Sequence, residues 1–285
     1  MVLVGSTVVV SKLIGAEVEP FLATAMRHAI ALPIFLVLMR MDGTRMPRMG
    51  RRDAALLLVQ AAAGSVGYTV LLMLGVGRAG AVEASVITGT LPAVSALFAV
   101  CFLGERPGLR LLLSIGLATA GVIAVTAAPA SVDAAPARLS GIALVLAAIA
   151  CEAAFILANK RLSRPVPALA LSAAMSAGGL LLSALPAALV YRHTAGPGFT
   201  LDSPVFAGIV YYALVPTVGG FLLWYAGSAR TSGARAALAT VWMPVSALLL
   251  SALWLGETIG RWQWLGLGCV VLATLCAVTP RRRGD

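Results

Sequence analysis

Long apolar segments separated by short polar connections follow one another along the whole chain. Segments of roughly 17–25 residues, the length that crosses about 30 Å of hydrocarbon as a helix, can be placed ten times. They cover approximately residues 2–16, 20–40, 54–76, 81–103, 109–128, 139–159, 166–190, 204–226, 233–254 and 261–279. This pattern predicts an all-α integral membrane protein of ten transmembrane helices, without room for a soluble catalytic domain.

Two stretches of the chain are alike at a fixed offset of 152 residues. They are residues 84–105, ASVITGTLPAVSALFAVCFLGE, and residues 236–257, AALATVWMPVSALLLSALWLGE. Such repeats are typical of secondary transporters. We therefore predict a first repeat at 1–128, a linker at 129–138, a second repeat at 139–280 and a basic tail at 281–285. Five helices per repeat would place the second repeat in the membrane inverted relative to the first.

Positive charge alternates between the loops of the two membrane sides. If the chain starts on the inside, only Arg78, Arg138, Arg192 and Arg261 lie in outer loops, and most other Lys and Arg residues lie inside. Because positive loops stay cytoplasmic, we predict a multi-pass protein of the plasma (inner) membrane with both termini cytoplasmic. The first segment lacks a cationic region and a cleavage pattern, so we expect it to remain attached.

Composition narrows the possible functions further. Hydrophobic residues make up 60% of the chain and charged residues 11%. We therefore attribute the net charge of +10 to the loops between membrane spans and not to a nucleic-acid-binding surface. The 4 cysteines show no paired spacing, and no metal-ligand or nucleotide-binding motif is visible. The sequence therefore predicts no metal, no cofactor, no nucleic-acid partner and no enzyme.

Glu152 is the ionisable residue that most needs an explanation, because it falls near the middle of the sixth segment. A charge at the bilayer centre costs at least about 2.5–3.5 kcal/mol on insertion scales. A buried carboxyl favours its protonated form, which suits exchange of a proton for a cationic substrate. The alternative is a neutral or Arg27-paired carboxyl that serves assembly alone.

Arg27 lies inside the second segment, beside His28. Its guanidinium could bind an anionic group or act as a structural counter-charge for Glu152 or for helix ends. A lone His in an apolar helix is more often a packing residue than a proton relay. Lys12 and Glu83 lie near segment ends, where we expect their side chains to reach the interface.

Paired Thr-x-x-x-Pro sequences provide a second candidate feature. Pro92 and Pro244 lack a backbone donor, which predicts unpaired carbonyl groups at Thr88 and Thr240. Two symmetric polar patches could then face one central site, or each Thr could bond back to its own helix. For Pro92, Pro244 and Pro216 we predict bends that shape a cavity.

Aromatic residues at mid-depth are candidates for a substrate pocket. Tyr68, Tyr212 and Trp242 could offer ring faces to an amine or a hydrophobic cation. Simple packing is the more frequent role of such residues. Trp254, Trp262 and Trp264 lie near the predicted outer boundary and are expected to be interface anchors.

An ordered set of short motifs resembles the EamA-like ten-helix members of the drug/metabolite transporter superfamily. The set comprises Gly5-Ser6 with Lys12, Pro20 with Arg27, the two Pro…Leu-Gly-Glu segments, Gly116, Gly121, Val215-Pro216-Thr217 and Leu223-Trp224-Tyr225. The resemblance implies a carrier that moves a small metabolite, amino acid or cationic drug-like solute by alternating access. Export is also an expectation from the resemblance, and proton coupling is a hypothesis that rests on Glu152.

Three alternatives remain open at this stage. A flippase for a lipid-linked or amphiphilic substrate would share the same mechanics. A membrane-embedded enzyme would need paired aspartates, a His-rich metal spacing or a buried nucleophile with a base, and the sequence shows none of these. A non-transporting scaffold would need no central carboxyl. The small-residue faces Gly256-x-x-x-Gly260 and Gly178-Gly179 allow close helix contacts without establishing a homodimer.

Overall fold

A computed structural model describes residues 1–103, 108–129, 134–194, 203–230 and 240–278. These residues form thirteen α-helices and two π-helical segments. They are α1 (Val2–Gly15), α2 (Pro20–Asp42), α3 (Arg51–Gln60), π1 (Ala61–Gly67), α4 (Tyr68–Ala79), α5 (Ala81–Thr88), α6 (Leu91–Leu103), α7 (Leu109–Thr126), α8 (Ala135–Lys160), α9 (Ala168–Thr194), α10 (Ser203–Tyr212), π2 (Ala213–Gly219), α11 (Gly220–Arg230), α12 (Trp242–Leu255) and α13 (Arg261–Val278). The first Gly104-Glu105 pair, part of the linker, residues 231–239 of the second repeat and the basic tail lie outside the described residues.

Apolar helices of membrane-spanning length dominate the described part of the chain. Six are long and apolar enough to cross a bilayer, and a seventh span is possible if α5 and α6 cross together, with a bend of 46° between them. The shorter helices α1 and α12 are apolar as well. The chain is therefore an all-helical, multi-pass membrane protein, and its division into ten helices of two inverted repeats stays a prediction.

The fourth predicted span is broken where the sequence places a glycine before a proline. α5 ends at Thr88 and α6 begins at Leu91, so Pro92 lies in the first turn of α6, where a missing N–H costs nothing. The equivalent Pro244 lies in the first turn of α12. The predicted unpaired carbonyl of Thr240 does not occur, because Met243 N–H donates to it at 3.0 Å.

Two π-helical segments fall at the same offset as the sequence repeat. Residues 61–67 (AAAGSVG) and 213–219 (ALVPTVG) are 152 positions apart. Each has a helix-breaking residue at its centre, Gly64 or Pro216, followed by a hydroxyl residue, Ser65 or Thr217. Pro216 cannot donate to the carbonyl of Tyr212, and the Thr217 hydroxyl donates to that carbonyl instead, at 2.8 Å. The same local distortion is therefore present in both halves of the chain.

Small residues let the helices approach closely within the monomer. A Cβ added at Gly5 would lie 2.1 Å from Ser246 Oγ, and one at Gly178 would lie 2.5 Å from Ala61 Cβ. Gly178 therefore serves contacts inside the bundle. Gly256, with φ of 65°, is the left-handed cap of α12, and Gly260 precedes α13, so this spacing belongs to a loop and not to a helix face.

Candidate functional site

A central cavity of about 90 Å³ lies between the helices of both halves. This volume is several times the space that one water molecule needs. Its walls come from the start of α1, from α2, from π1 and α4, from α8, and from the π2 region. The lining residues are Met1, Val4, Thr7, Arg27, Gly64, Tyr68, Thr69, Leu91, Glu152, Phe155, Ile156, Tyr212, Pro216, Thr217, Gly220, Phe221, Trp224, Thr240 and Met243.

Glu152 reaches the cavity from α8, whose neighbouring residues pack against π1. A Cβ added at Gly64 would lie 2.7 Å from Phe155, and one at Gly67 would lie 3.1 Å from Cys151 Sγ. A side chain at Gly64 would force Phe155 to shift and one at Gly67 would be tight against Cys151, so the two glycines favour the close approach of α8. Among the described residues, no hydrogen bond or ion pair joins the Glu152 carboxyl to another side chain. The carboxyl therefore faces a space that a solute or water can enter.

Arg27 is held at the cavity wall by groups from three helical segments. Its Nη2 donates to the backbone carbonyl of Ser65 in π1 and lies 2.9 Å from His28 Nε2. Its Cζ stands 4.5 Å from the centroid of the Tyr212 ring, within the range of a cation–π contact. Arginine only donates, so His28 Nε2 accepts and the neutral imidazole carries its proton on Nδ1. His28 thus positions Arg27.

The cavity therefore contains a cationic group and a carboxyl that do not pair with each other. The ion pairs among the described residues are Lys12–Glu257 and Arg138–Glu83. Arg27 is only 6% exposed, and its Nε has no hydrogen-bond partner in the described structure. Aromatic rings, including Tyr68, Tyr212 and Trp224, line the same space. The site can bind a solute with charged groups and an apolar body.

The family profile described as the EamA-like transporter family matches residues 1–127 and 139–279. The chain belongs to this family. The resemblance found in the sequence motifs is thereby confirmed. The "Uncharacterized transporter YetK" of Bacillus subtilis (strain 168) is 32% identical over 100% of this chain and 86% of that protein. The "Probable terminal-alkyne amino-acid exporter" of Streptantibioticus cattleyicolor is 32% identical over 85% of this chain and 78% of that protein.

A solved crystal structure shows the same fold. It superposes with a TM-score of 0.63 and 19% identity, covering 97% of this chain and 93% of the other. At this identity the likeness concerns the fold alone. Because the sequence relatives are named as transporters, this EamA-like protein is a membrane transporter and not an enzyme.

Six of the predicted site residues meet at the cavity of this EamA-like protein. They are Glu152, Arg27, Tyr68, Tyr212, Thr240 and Pro216. Thr88 lies elsewhere: its hydroxyl donates to the Ser85 carbonyl at 2.7 Å within its own helix. The two predicted symmetric patches are therefore reduced to one, at Thr240.

Trp242, Pro92 and Pro244 do not line the cavity. The Trp242 side chain is 61% exposed on the first turn of α12, because at this point of the helix its neighbour Met243 faces the cavity. The two prolines lie near helix ends outside the cavity lining. Pro92 follows the bend between α5 and α6, and Pro244 lies buried close to Gly89.

A network of ionic contacts lies at the end of α1 that is remote from the cavity. Glu257 pairs with Lys12 and accepts from the backbone N–H of Val82 at 2.8 Å and of Ala81 at 3.2 Å, at the start of α5. Glu83 lies 3.7 Å from Arg138 and accepts from Gln263 at 3.2 Å. Lys12 and Glu83 therefore form specific contacts with side chains of other helical segments, and their reach to the membrane interface stays a prediction.

Sequence reasoning missed Glu257 as a connecting residue. The Leu-Gly-Glu motif could have indicated this role, because its glycine ends α12 in a left-handed turn and Glu257 follows directly. Among the described residues, no group of three or more His, Cys, Asp or Glu side chains is arranged to hold a metal ion.

Proposed function

We propose that this protein is a secondary-active transporter that moves a small solute with a positively charged amine through the central cavity by alternating access. The observation that carries this proposal is the Glu152 carboxyl, which lines the cavity without a side-chain partner in the described structure. A charged amine attracts an ionised carboxylate strongly where water is scarce. A solute cation and a proton then compete for binding to the Glu152 carboxylate.

The competition gives a simple coupling scheme. With its proton bound, Glu152 is neutral and has little attraction for a cation. After losing the proton it binds the amine, and a new proton from the opposite side displaces that amine. Aromatic rings of Tyr68, Tyr212 and Trp224 are suited to the apolar body or the cationic end of such a solute. Proton antiport follows if the two ligands exclude each other.

Several broader features belong to the same proposal. The two repeats form ten helices in opposite orientations, and the protein lies in the plasma membrane with both termini cytoplasmic. The direction is export, which the name of the amino-acid exporter relative supports. The ionic contacts of Glu257 and Glu83 support a state in which the outer end of the bundle is closed.

A flux measurement in proteoliposomes tests the proposal. Amino acids, polyamines and cationic dyes are supplied with and without an imposed pH gradient, and Glu152→Gln is compared with the wild type. We expect gradient-driven flux of at least one amine-bearing solute, reduced at least about tenfold in Glu152→Gln, because one charged contact of this kind is typically worth about 1.5–3 kcal/mol.

The matched control is Glu17→Gln, which removes a carboxylate at an exposed position. It should transport as the wild type does. Equal gradient-driven flux in wild type and Glu152→Gln would contradict the role of Glu152. Movement of amphiphilic lipids alone would favour a flippase over the proposed function.

A further inference from the structure

A surface pocket of about 370 Å³ lies where α8, α9 and α11 meet, apart from the central cavity. Apolar side chains form most of its wall, and Asn159 and Arg164 add polar groups. The apolar residues include Leu162, Pro165, Val166 and Leu171. Among the described residues, none lines both this pocket and the central cavity. An apolar wall beside a cation fits a molecule with an anionic head and an apolar body.

Exposed cations gather beside the pocket because two basic segments are joined there. Asp53, in the first turn of α3, accepts hydrogen bonds from the backbone N–H of Ser163 at 3.2 Å and from its hydroxyl at 3.0 Å. Ser163 lies in the loop between α8 and α9. The contact creates a basic surface that comprises Arg51, Arg52, Lys160, Arg161 and Arg164, all of them exposed. The ion pairs found in the described part of the chain lie elsewhere, so no carboxylate there neutralises these charges as an ion-pair partner.

The basic surface lies at the end of the bundle that the loop charges predict to be cytoplasmic. Long arginine side chains there can hold their charge at the level of the lipid head groups while their stems cover apolar surface. Anionic lipids attract such segments, and basic pockets between transmembrane helices bind phospholipid head groups. We propose that the pocket binds one anionic phospholipid, with the lipid phosphate at Arg164 and the apolar part of the lipid against Leu162 and Leu171.

The pocket shares a wall with the central cavity. Leu171 and Tyr225 line the pocket and pack in the same apolar cluster as Phe155, which lines the cavity. A lipid in the pocket therefore contacts side chains that hold α8, α9 and α11 together. Because a ligand that binds only the folded protein stabilises it, the lipid should raise the melting temperature.

Native mass spectrometry of the purified full chain in detergent tests the proposal. Dioleoylphosphatidylglycerol and dioleoylphosphatidylcholine are titrated separately, because they have the same acyl chains and differ in net charge. We expect the first phosphatidylglycerol molecule to bind about tenfold more tightly than phosphatidylcholine, as one charged hydrogen-bonded contact would provide. Phosphatidylglycerol should also raise the melting temperature more than phosphatidylcholine does.

The decisive variant is Arg164→Gln, which removes the charge in the pocket wall. It should weaken binding of the first phosphatidylglycerol about tenfold and leave binding of phosphatidylcholine within about twofold. The matched control is Arg45→Gln, which removes a charge that is exposed in the preceding basic loop and is not part of the pocket wall. Its binding of both lipids should stay within about twofold of the wild type.

A second variant keeps the test conclusive if Arg164→Gln does not fold. Ala168 lines the pocket and is the first residue of α9, where a carboxylate is compatible with the helix start. Ala168→Glu therefore puts a negative charge into the pocket without opposing the helix. It should abolish the preference for phosphatidylglycerol over phosphatidylcholine, because like charges repel.

Three results would overturn the lipid site. Equal binding of the two lipids by the wild type would show that the pocket does not select an anionic head group. Equal weakening in Arg164→Gln and Arg45→Gln would show a diffuse attraction to positive charge and not a site. If glycerol 3-phosphate displaces phosphatidylglycerol and raises the melting temperature as much, the occupant is a soluble phosphate and not a lipid. None of these results depends on Glu152, so the proposed function is tested separately.

Discussion

Thr88 and Thr240 occupy equivalent positions of the sequence repeat but have different surroundings. Thr88 is 1% exposed and donates its hydroxyl to its own helix, whereas Thr240 lines the cavity. The two halves also contribute unequally to the cavity in another respect, since Arg27 comes from the first half and the equivalent position in the second half is Gly179. Repetition of sequence therefore does not produce two equal binding surfaces.

A pair of substitutions tests this asymmetry. Thr240→Val should weaken substrate binding about 2- to 10-fold, because it removes one neutral hydrogen-bonding group from the cavity. Thr88→Val should leave the half-saturating concentration within about twofold. Uptake at varied substrate concentration measures both, and equal effects of the two variants would contradict a special role for Thr240.

The lack of a side chain at Gly179 leaves room for the ring of His28, which positions Arg27. A Cβ added there would lie 2.5 Å from His28 Cδ2 and Nε2. We expect Gly179→Ala to displace the ring and to reduce stability by about 1–3 kcal/mol, as overpacked sites do. The control is Gly77→Ala, where a Cβ meets nothing within 4 Å and alanine favours the helix. A melting temperature that falls in Gly77→Ala but not in Gly179→Ala would contradict this packing account.

The charged site residues were predictable, and their contacts were not. Glu152 and Arg27 stand out in sequence because a charge inside an apolar span is costly. Whether they pair depends on the positions of α2 and α8, which one-dimensional periodicity does not contain. Trp242 shows the same limit: its place in an apolar helix was predictable, but the side of α12 on which it lies depends on how α12 packs against α1.

At the scale of helices, the ends were easier to predict than the interruptions. The apolar pattern anticipates α2, α7 and α8 within a few residues, since each is bounded by charged or loop-forming residues. Bends were predicted at Pro92 and Pro216, but the break in the helix after Thr88 and the π-helical form of π1 and π2 were not, because a glycine or proline signals a distortion without specifying its form.

The contact between Lys12 and Glu257 joins α1 to the loop between α12 and α13. Glu257 also caps α5, where a carboxylate is favoured by the exposed N–H groups and the helix dipole. From the loop charges we predict that this end of the bundle faces outside, and we therefore expect the contact to stabilise the state closed to the outside.

Loss of the contact should therefore favour outward opening. In a variant with Thr7→Cys and the native cysteines replaced by serine, a membrane-impermeant thiol reagent added outside measures access to the cavity. Lys12→Gln should raise the labelling rate a few-fold, in line with the roughly 0.2–1 kcal/mol of an exposed ion pair. Glu257→Gln should raise it further because it also weakens the cap of α5. Unchanged rates in both variants, with Arg78→Gln as the control, would contradict this role.

At the scale of the whole molecule, the two π-helical segments adjoin the cavity from opposite halves. Gly64 of π1 and Pro216 of π2 both line it, and their positions differ by the repeat offset. π-helical distortions weaken the regular hydrogen-bond pattern and are frequent at functional sites. They are therefore the places where we expect each half to deform during transport.

Hydrogen exchange tests this expectation directly. Amides of residues 61–67 and 213–219 should exchange faster than those of the flanking helices α4 and α10. A transported solute should slow the exchange of both segments together, because it contacts both walls of the cavity. Exchange as slow as in the flanking helices, or protection of one segment alone, would contradict a paired role.

The most direct measurement of the central claim is proton release on substrate binding. Purified protein in weakly buffered detergent solution is mixed with a transported amine-bearing solute, and a pH indicator records the protons released. The account predicts release from the wild type and from Glu17→Gln, and its loss in Glu152→Gln. Equal release from Glu152→Gln and the wild type would show that Glu152 is not the group on which substrate and proton compete.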